Sequence, residues 1–148
     1  ASFRAMSVRF MAAYEERKAE CRLHPGSVTL LDGLTAAGLT HSVLSAYERS
    51  LLTTTLAHYG LDRHFIKACG GHDIHAGSKE DRARLHLSDL PHRPEDVIYI
   101  GDTAHDAEAA AAMGVDCVLA AHGHQHRERL EGLGVRVVDG FAELVAEL

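Results

Sequence analysis

Val97-Ile98-Tyr99-Ile100-Gly101-Asp102-Thr103-Ala104-His105-Asp106 decides the fold. A β-branched apolar run ends in Gly-Asp, and a second carboxylate follows four residues later, where an alanine-rich helical segment begins. Two acids therefore stand at the carboxyl end of a buried strand. Open α/β sheets bind ligands beyond that end of their strands, and carboxylate oxygens there suit a hard cation such as Mg²⁺. A plainer reading is also open. Thr103 and Asp106 have the spacing of a capping box, hydroxyl and acid three apart, so Asp106 also reads as a helix start and nothing more. Asp102, at the strand end itself, has no such capping role.

Outward from this stretch the apolar runs His41–Ser45, Phe65–Cys69, Val97–Ile100, Cys117–Ala120 and Val135–Val138 alternate with helical patterns. The helices are expected at Ser27–Ala37, Tyr47–Tyr59, Lys79–Leu87, His105–Met113, His126–Leu133 and Phe141–Leu148, several closing at Gly38, Gly60, Gly114 and Gly134. Strand and helix in alternation predict an α/β fold with a parallel sheet flanked by helices. Phe3–Cys21 differs: Phe3, Met6, Phe10, Met11 and Tyr14 recur at helical spacing ahead of the charged run Glu15–Glu20, which predicts an amphipathic helix ended by Pro25-Gly26. Its apolar face is free to pack on the core, on a cap or on a second copy, so a homodimer is one expectation.

The 148 residues suit one domain, with a net charge of −6 and dispersed basic residues. Nothing resembles the clustered basic footprint of a nucleic-acid binder. Cys21, Cys69 and Cys117 are odd in number and without a C-x-x-C pair, so reduced packing thiols and a cytoplasmic location are expected. No apolar run approaches the roughly 18 residues of a membrane span, so no membrane partner is expected.

Two more residues share the address of the acid pair. Ser45 follows Val43-Leu44 and precedes a helix, where its hydroxyl would reach a phosphate oxygen; Ser45-Ala46-Tyr47-Glu48 is equally a capping box. Lys79 falls in the first turn of a helix, where the macrodipole disfavours a cation unless an anion is near. The alternative is a solvated lysine offset by Glu80 and Asp81 behind a Ser78 cap.

With Ser45, Lys79, Gly101-Asp102 and Asp106 in this order, the chain resembles the haloacid dehalogenase superfamily of phosphohydrolases. Val43-Leu44-Ser45 is similar to its second motif, Lys79 to its third and Gly101–Asp106 to its G-D-x-x-x-D fourth. The likeness covers Pro25–Leu148, with a core expected from residue 24 to residue 148. Residues 1–23 are similar to the last helix of the family's cap. Glu80 stands where many relatives have proline.

The resemblance implies a Rossmann-like three-layer core and a Mg²⁺-dependent phosphatase acting on a small phosphorylated metabolite through an aspartyl-phosphate. Asp102 and Asp106 are then the metal residues. Ser45, Lys79 and Asp106 are the catalytic set: Ser45 binds a phosphoryl oxygen, Lys79 neutralises charge, and Asp106 supports the metal shell. Only 33 residues separate Ser45 from Lys79, too few for a cap between them, which is the arrangement of phosphoglycolate-phosphatase-like members.

The first motif of that superfamily, D-x-D-G-T with the nucleophile, does not occur in these residues. Asp32-Gly33-Leu34-Thr35 imitates it inside a predicted helix, without a preceding strand, and is rejected. In the family that motif ends a strand lying between those of Ser45 and Asp102. Either a preceding segment supplies it or another element fills its place. The chain alone is expected to be inactive, and the competing expectation is an inactive relative that binds a phosphorylated ligand or a protein. No C-x₅-R loop or G-x-G-x-x-G turn points to a cysteine phosphatase or a dinucleotide enzyme. His122-Gly123-His124-Gln125-His126 is a poor scaffold for zinc and is expected to form a loop at the cleft rim, where His122 or His124 would meet substrate. His72-Asp73-Ile74-His75 is expected to be a loop, and His105 to face outward.

Overall fold

The computed structural model describes residues 3–71 and 78–148. The expected loop His72–His75 lies outside the described residues. The chain is α/β with parallel strands flanked by helices, in the order α1 (Phe3–Arg17), α2 (Ser27–Ala36), β1 (His41–Leu44), α3 (Arg49–His58), β2 (Phe65–Cys69), α4 (Lys79–Ser88), β3 (Ile98–Gly101), α5 (Ala104–Met113), β4 (Asp116–Ala120), α6 (Arg127–Glu131), β5 (Arg136–Val138) and α7 (Phe141–Val145). The glycines expected to end helices, Gly38, Gly60, Gly114 and Gly134, all have left-handed φ of 65–84°, the conformation an L side chain resists.

The strands form two sheets rather than one. β1 pairs β2, and β3-β4-β5 form a second parallel sheet, so β1 and β3 each have one edge without a strand partner among the described residues. Both nevertheless rest on the same helical layer. Ala83 and Leu87 of α4 and Ala109 and Met113 of α5 form a buried cluster against which Leu44 of β1 and Tyr99 of β3 pack. Ala83 and Ala109 are fully buried, and their small side chains let α4 and α5 approach closely. The Arg84 side chain ties the pair by donating to the Ala112 carbonyl at 3.1 Å, near the C-terminus of α5. β4 is buried along Val118-Leu119-Ala120, as a strand covered on both faces should be. β3 is not: Ile98 and Ile100 are 62% and 40% exposed.

α1 buries no residue, and its apolar residues Phe3, Met6, Phe10, Met11 and Tyr14 face solvent. Cys69 is buried and Cys117 partly so, but Cys21 is exposed, correcting the expectation that all three pack in the core. No helix of the described residues is long and apolar enough to cross a membrane.

His86 of α4 is 5% exposed, a burial the sequence pattern did not announce. Its Nε2 lies 3.0 Å from Ser42 Oγ on β1, while Nδ1 is buried with no hydrogen-bond partner among the described residues. Burial chiefly, and the Lys67 cation next, hold its pKa below the ordinary histidine value, with Asp89 opposing. Because the folded pKa is depressed, the unfolded chain binds more protons just below about pH 6.5, and stability falls as pH drops through that window. His86→Leu is expected to flatten this part of the pH profile of urea unfolding. An unchanged slope would show that other groups cause it.

Candidate active site

The carboxyl ends of the strands meet at one rim, and specific bonds fix this. The Ser45 amide donates to the Cys69 carbonyl at 2.9 Å, joining the ends of β1 and β2. α4 follows β2 in the chain, and its first residue, Lys79, reaches Asp106 just beyond β3: Nζ to Oδ1 is 2.8 Å. One ion pair therefore joins the first turn of α4, which follows β2 in the chain, to the first turn of α5, which follows β3 and Asp102.

Asp106 is 8% exposed and accepts five hydrogen bonds. Oδ2 takes the Asp102 amide (3.1 Å), the Thr103 amide (2.9 Å) and the Thr103 hydroxyl (2.7 Å). Oδ1 takes Lys79 and, at 3.3 Å, the Tyr99 phenol. Burial is the largest single influence on this carboxyl and raises its pKa, but Lys79, Thr103 and the Asp102 amide together outweigh it and hold the group below the usual carboxylate range. Asp106 thus caps α5 and anchors Lys79 at once, so the two readings of its sequence context describe one residue. Gly101 makes room for it: a Cβ there would fall 2.3 Å from the Asp106 Cβ.

Lys79 is N1 of α4 behind the Ser78 cap, whose Oγ accepts from the Asp81 amide at 3.1 Å. Its cation sits against the helix dipole because Asp106 is there to receive it. Of the alternative, a solvated lysine offset by Glu80 and Asp81 behind a Ser78 cap, the cap is formed, but the ammonium is paired with Asp106. The capping box expected at Ser45 is likewise not formed. α3 begins at Arg49, and Glu48 caps it, accepting from the Ser50 and Leu51 amides at 3.1 and 3.2 Å. Ser45 instead accepts the Tyr47 amide at 3.1 Å, which leaves its hydroxyl proton to be donated elsewhere.

Asp102 differs from Asp106 in exposure and partners. Its side chain is 33% exposed, and Oδ2 accepts from the amide and Nδ1 of His124 at 2.8 and 2.5 Å. His122 packs against His24 with the rings tilted by 45° and centroids 4.1 Å apart, and Phe141 lies edge-on to it at 4.7 Å. Among the described residues no group of three or more His, Cys, Asp or Glu side chains is arranged to hold a metal ion. Mg²⁺ asks less: one or two carboxylates with retained waters suffice, and the outward-facing Asp102 carboxylate fits as one such ligand.

The remaining residues lie apart. Asp32 is on α2 facing Arg63 and His64 at 3.7 and 3.6 Å; His64 immediately precedes β2, so Asp32 stands at the amino ends of the strands, opposite the rim. His105 faces solvent beside Glu108 at 2.7 Å. Burial pushes the Cys117 thiol up to about 11, which makes it a poor nucleophile. Tyr99, Gly123 and Gln125 are site residues that the sequence did not single out.

Residues 2–120 match the family model described as haloacid dehalogenase-like hydrolase, and the chain belongs to that family. It is 31% identical to the tyrosine-protein kinase PtkA of Mycobacterium tuberculosis over 93% of this chain and 48% of that protein. It is 28% identical to phosphoglycolate phosphatase 1 of Pseudomonas aeruginosa over 92% of this chain and 51% of that protein. The chain thus spans about half the length of these relatives. A haloacid dehalogenase-like family hydrolase from Streptococcus pneumoniae has the same fold, with a TM-score of 0.84 at 20% identity over 99% of this chain and 71% of that one. The family is the one expected from the motifs around Ser45, Lys79 and Asp102, and a phosphoglycolate phosphatase is among the relatives, the likeness expected from the short spacing between Ser45 and Lys79.

Proposed function

We propose that residues 24–148 are the core of a Mg²⁺-dependent phosphohydrolase for a small phosphorylated metabolite, completed by a strand that fills the space between β1 and β3 and carries the nucleophilic aspartate. The observation that carries this proposal is the Lys79–Asp106 pair, which holds a cation at the rim shared by Ser45 and Asp102. The unpaired edges of β1 and β3 and the exposed Ile98 and Ile100 support a strand between them. Residues 1–23 belong to a helical cap that covers the apolar face of α1, and the free thiols suit a reducing cytoplasm.

In this mechanism Ser45 donates its hydroxyl proton to one phosphoryl oxygen. Lys79, with one N–H spent on Asp106, offers two more to the phosphate and the nucleophile. Asp106 keeps that ammonium in place. Asp102 is the metal ligand, and Asp106, with both oxygens occupied by donors, supports the metal shell through the Asp102 segment it fastens. Bound Mg²⁺ supplies positive charge to the phosphoryl oxygens. The nucleophile displaces the alcohol from phosphorus, and water then cleaves the acyl phosphate to give free phosphate. Protein that includes the nucleophile strand should hydrolyse an aryl phosphate in Mg²⁺. Chelation with EDTA should cut the rate about 100-fold or more, and added Mg²⁺ should restore it. Full turnover in EDTA would overturn the metal assignment.

The identity to tyrosine-protein kinase PtkA favours a second reading, in which the same groups hold a phosphoryl group for transfer to a protein hydroxyl rather than to water. Incubation with γ-labelled ATP separates the two: label on protein tyrosine supports transfer, and label released only as inorganic phosphate supports hydrolysis.

A further inference from the structure

The loop after β4 meets the Asp102 segment at three successive residues. Gly123 lies so close that a Cβ would fall 2.2 Å from Asp102 Oδ2 and 2.3 Å from its Cβ, so no larger residue fits without moving the loop. His124 gives Asp102 Oδ2 both its amide, at 2.8 Å, and its Nδ1, at 2.5 Å. Gln125 Oε1 accepts the amide of Ala104, the first residue of α5, at 2.9 Å.

We propose that residues 123–125 form a clamp in which His124 is a positioning residue, fixing Asp102 through Oδ2 so that Oδ1 is the oxygen turned to a divalent cation; this rests on Asp102 as the metal ligand. A carboxylate at a strand end is otherwise free to rotate about two side-chain bonds. Two donors on one oxygen remove that freedom before the ligand arrives, and donors to a charged acceptor are the stronger kind. The geometry needs the His124 proton on Nδ1, since an aspartate oxygen can only accept. The neighbouring Gln125 bond secures the loop to the helix start independently of the imidazole, so the loop keeps its path when the ring is changed. His122, two residues earlier, is engaged with His24 and Phe141 and takes no part in the clamp.

The test uses the full chain, labelled with ¹⁵N, at about pH 8, where an ordinary histidine is neutral. His124 should show the Nδ1–H tautomer, and Asp102→Ala should return it to the usual Nε2–H form. Mn²⁺ is then titrated in, read by paramagnetic broadening at residue 102. His124→Ala should weaken Mn²⁺ binding about tenfold with the thermal midpoint unchanged, and His124→Asn, whose amide N–H replaces Nδ1–H, should recover it to within about threefold. A tautomer indifferent to Asp102→Ala, or a His124→Ala protein that binds Mn²⁺ as the parent does, overturns the clamp. The tautomer signature together with no Mn²⁺ response in the parent supports the clamp and overturns Asp102 as metal ligand.

Discussion

Asp102→Asn is expected to lower Mg²⁺-dependent turnover of an aryl phosphate by about 100-fold or more, in protein that carries the nucleophile strand, while leaving the fold intact. The two halves of this outcome have separate causes. Asparagine keeps a carbonyl oxygen that can accept the His124 amide and imidazole N–H now held by Oδ2, so the loop after β4 has no reason to move. The side chain is also one-third exposed and takes no part in the α4–α5 core. What is lost is the negative charge, and a hard cation depends on it far more than a hydrogen bond does. The expected free energy of unfolding in urea is therefore within about 0.5 kcal/mol of the parent's, the range of ordinary surface changes. Unchanged turnover would remove Asp102 from the mechanism. A collapsed midpoint would show that its charge serves the fold instead.

The elements were legible in the sequence where the signal is local. The run Phe65–Cys69 and the helix start at Lys79 stand where the pattern set them, and four helix-ending glycines have the left-handed φ that selects glycine. Ser45 shows where local reading fails. Ser45-Ala46-Tyr47-Glu48 satisfies the spacing of a capping box, but Glu48 can itself accept two amides, and the helix starts one residue after it. A spacing rule cannot rank two competing acceptors.

The division of the sheet was illegible for another reason. Alternation within a strand says which face is buried, not which strand lies alongside; only the resemblance pointed to a missing neighbour between the strands of Ser45 and Asp102. Tyr99 reads as one more apolar residue of a buried strand, and its phenol becomes informative only when Asp106 is brought beneath it. The Lys79–Asp106 bond spans 27 positions and belongs to tertiary structure alone.

Asp106→Ala should be the most destabilising single change at the rim, costing about 3–5 kcal/mol in urea unfolding, as loss of one partner from a buried ion pair does. The carboxylate ends five hydrogen bonds, and its removal strands the Asp102 and Thr103 amides, the Tyr99 phenol and the Lys79 ammonium together. Lys79→Ala should cost less, because Asp106 would keep four of its donors and the lysine side chain is one-third exposed. The acid behaviour of the two variants tests the same assignment. The depressed pKa of Asp106 contributes stability that is present above the ordinary carboxyl value, near 3.9, and is lost as pH falls through the lower folded value. This window lies below the one assigned to His86, so the parent should lose stability in two stages, first below about pH 6.5 and again below about pH 4. Asp106→Ala should shrink the second stage and keep the first, and His86→Leu should shrink the first, which His24 and His41 share because their pKa values are also held down, and keep the second. If Asp106→Ala unfolds no more readily than Lys79→Ala, the carboxylate is not the hub that joins α4, β3 and α5.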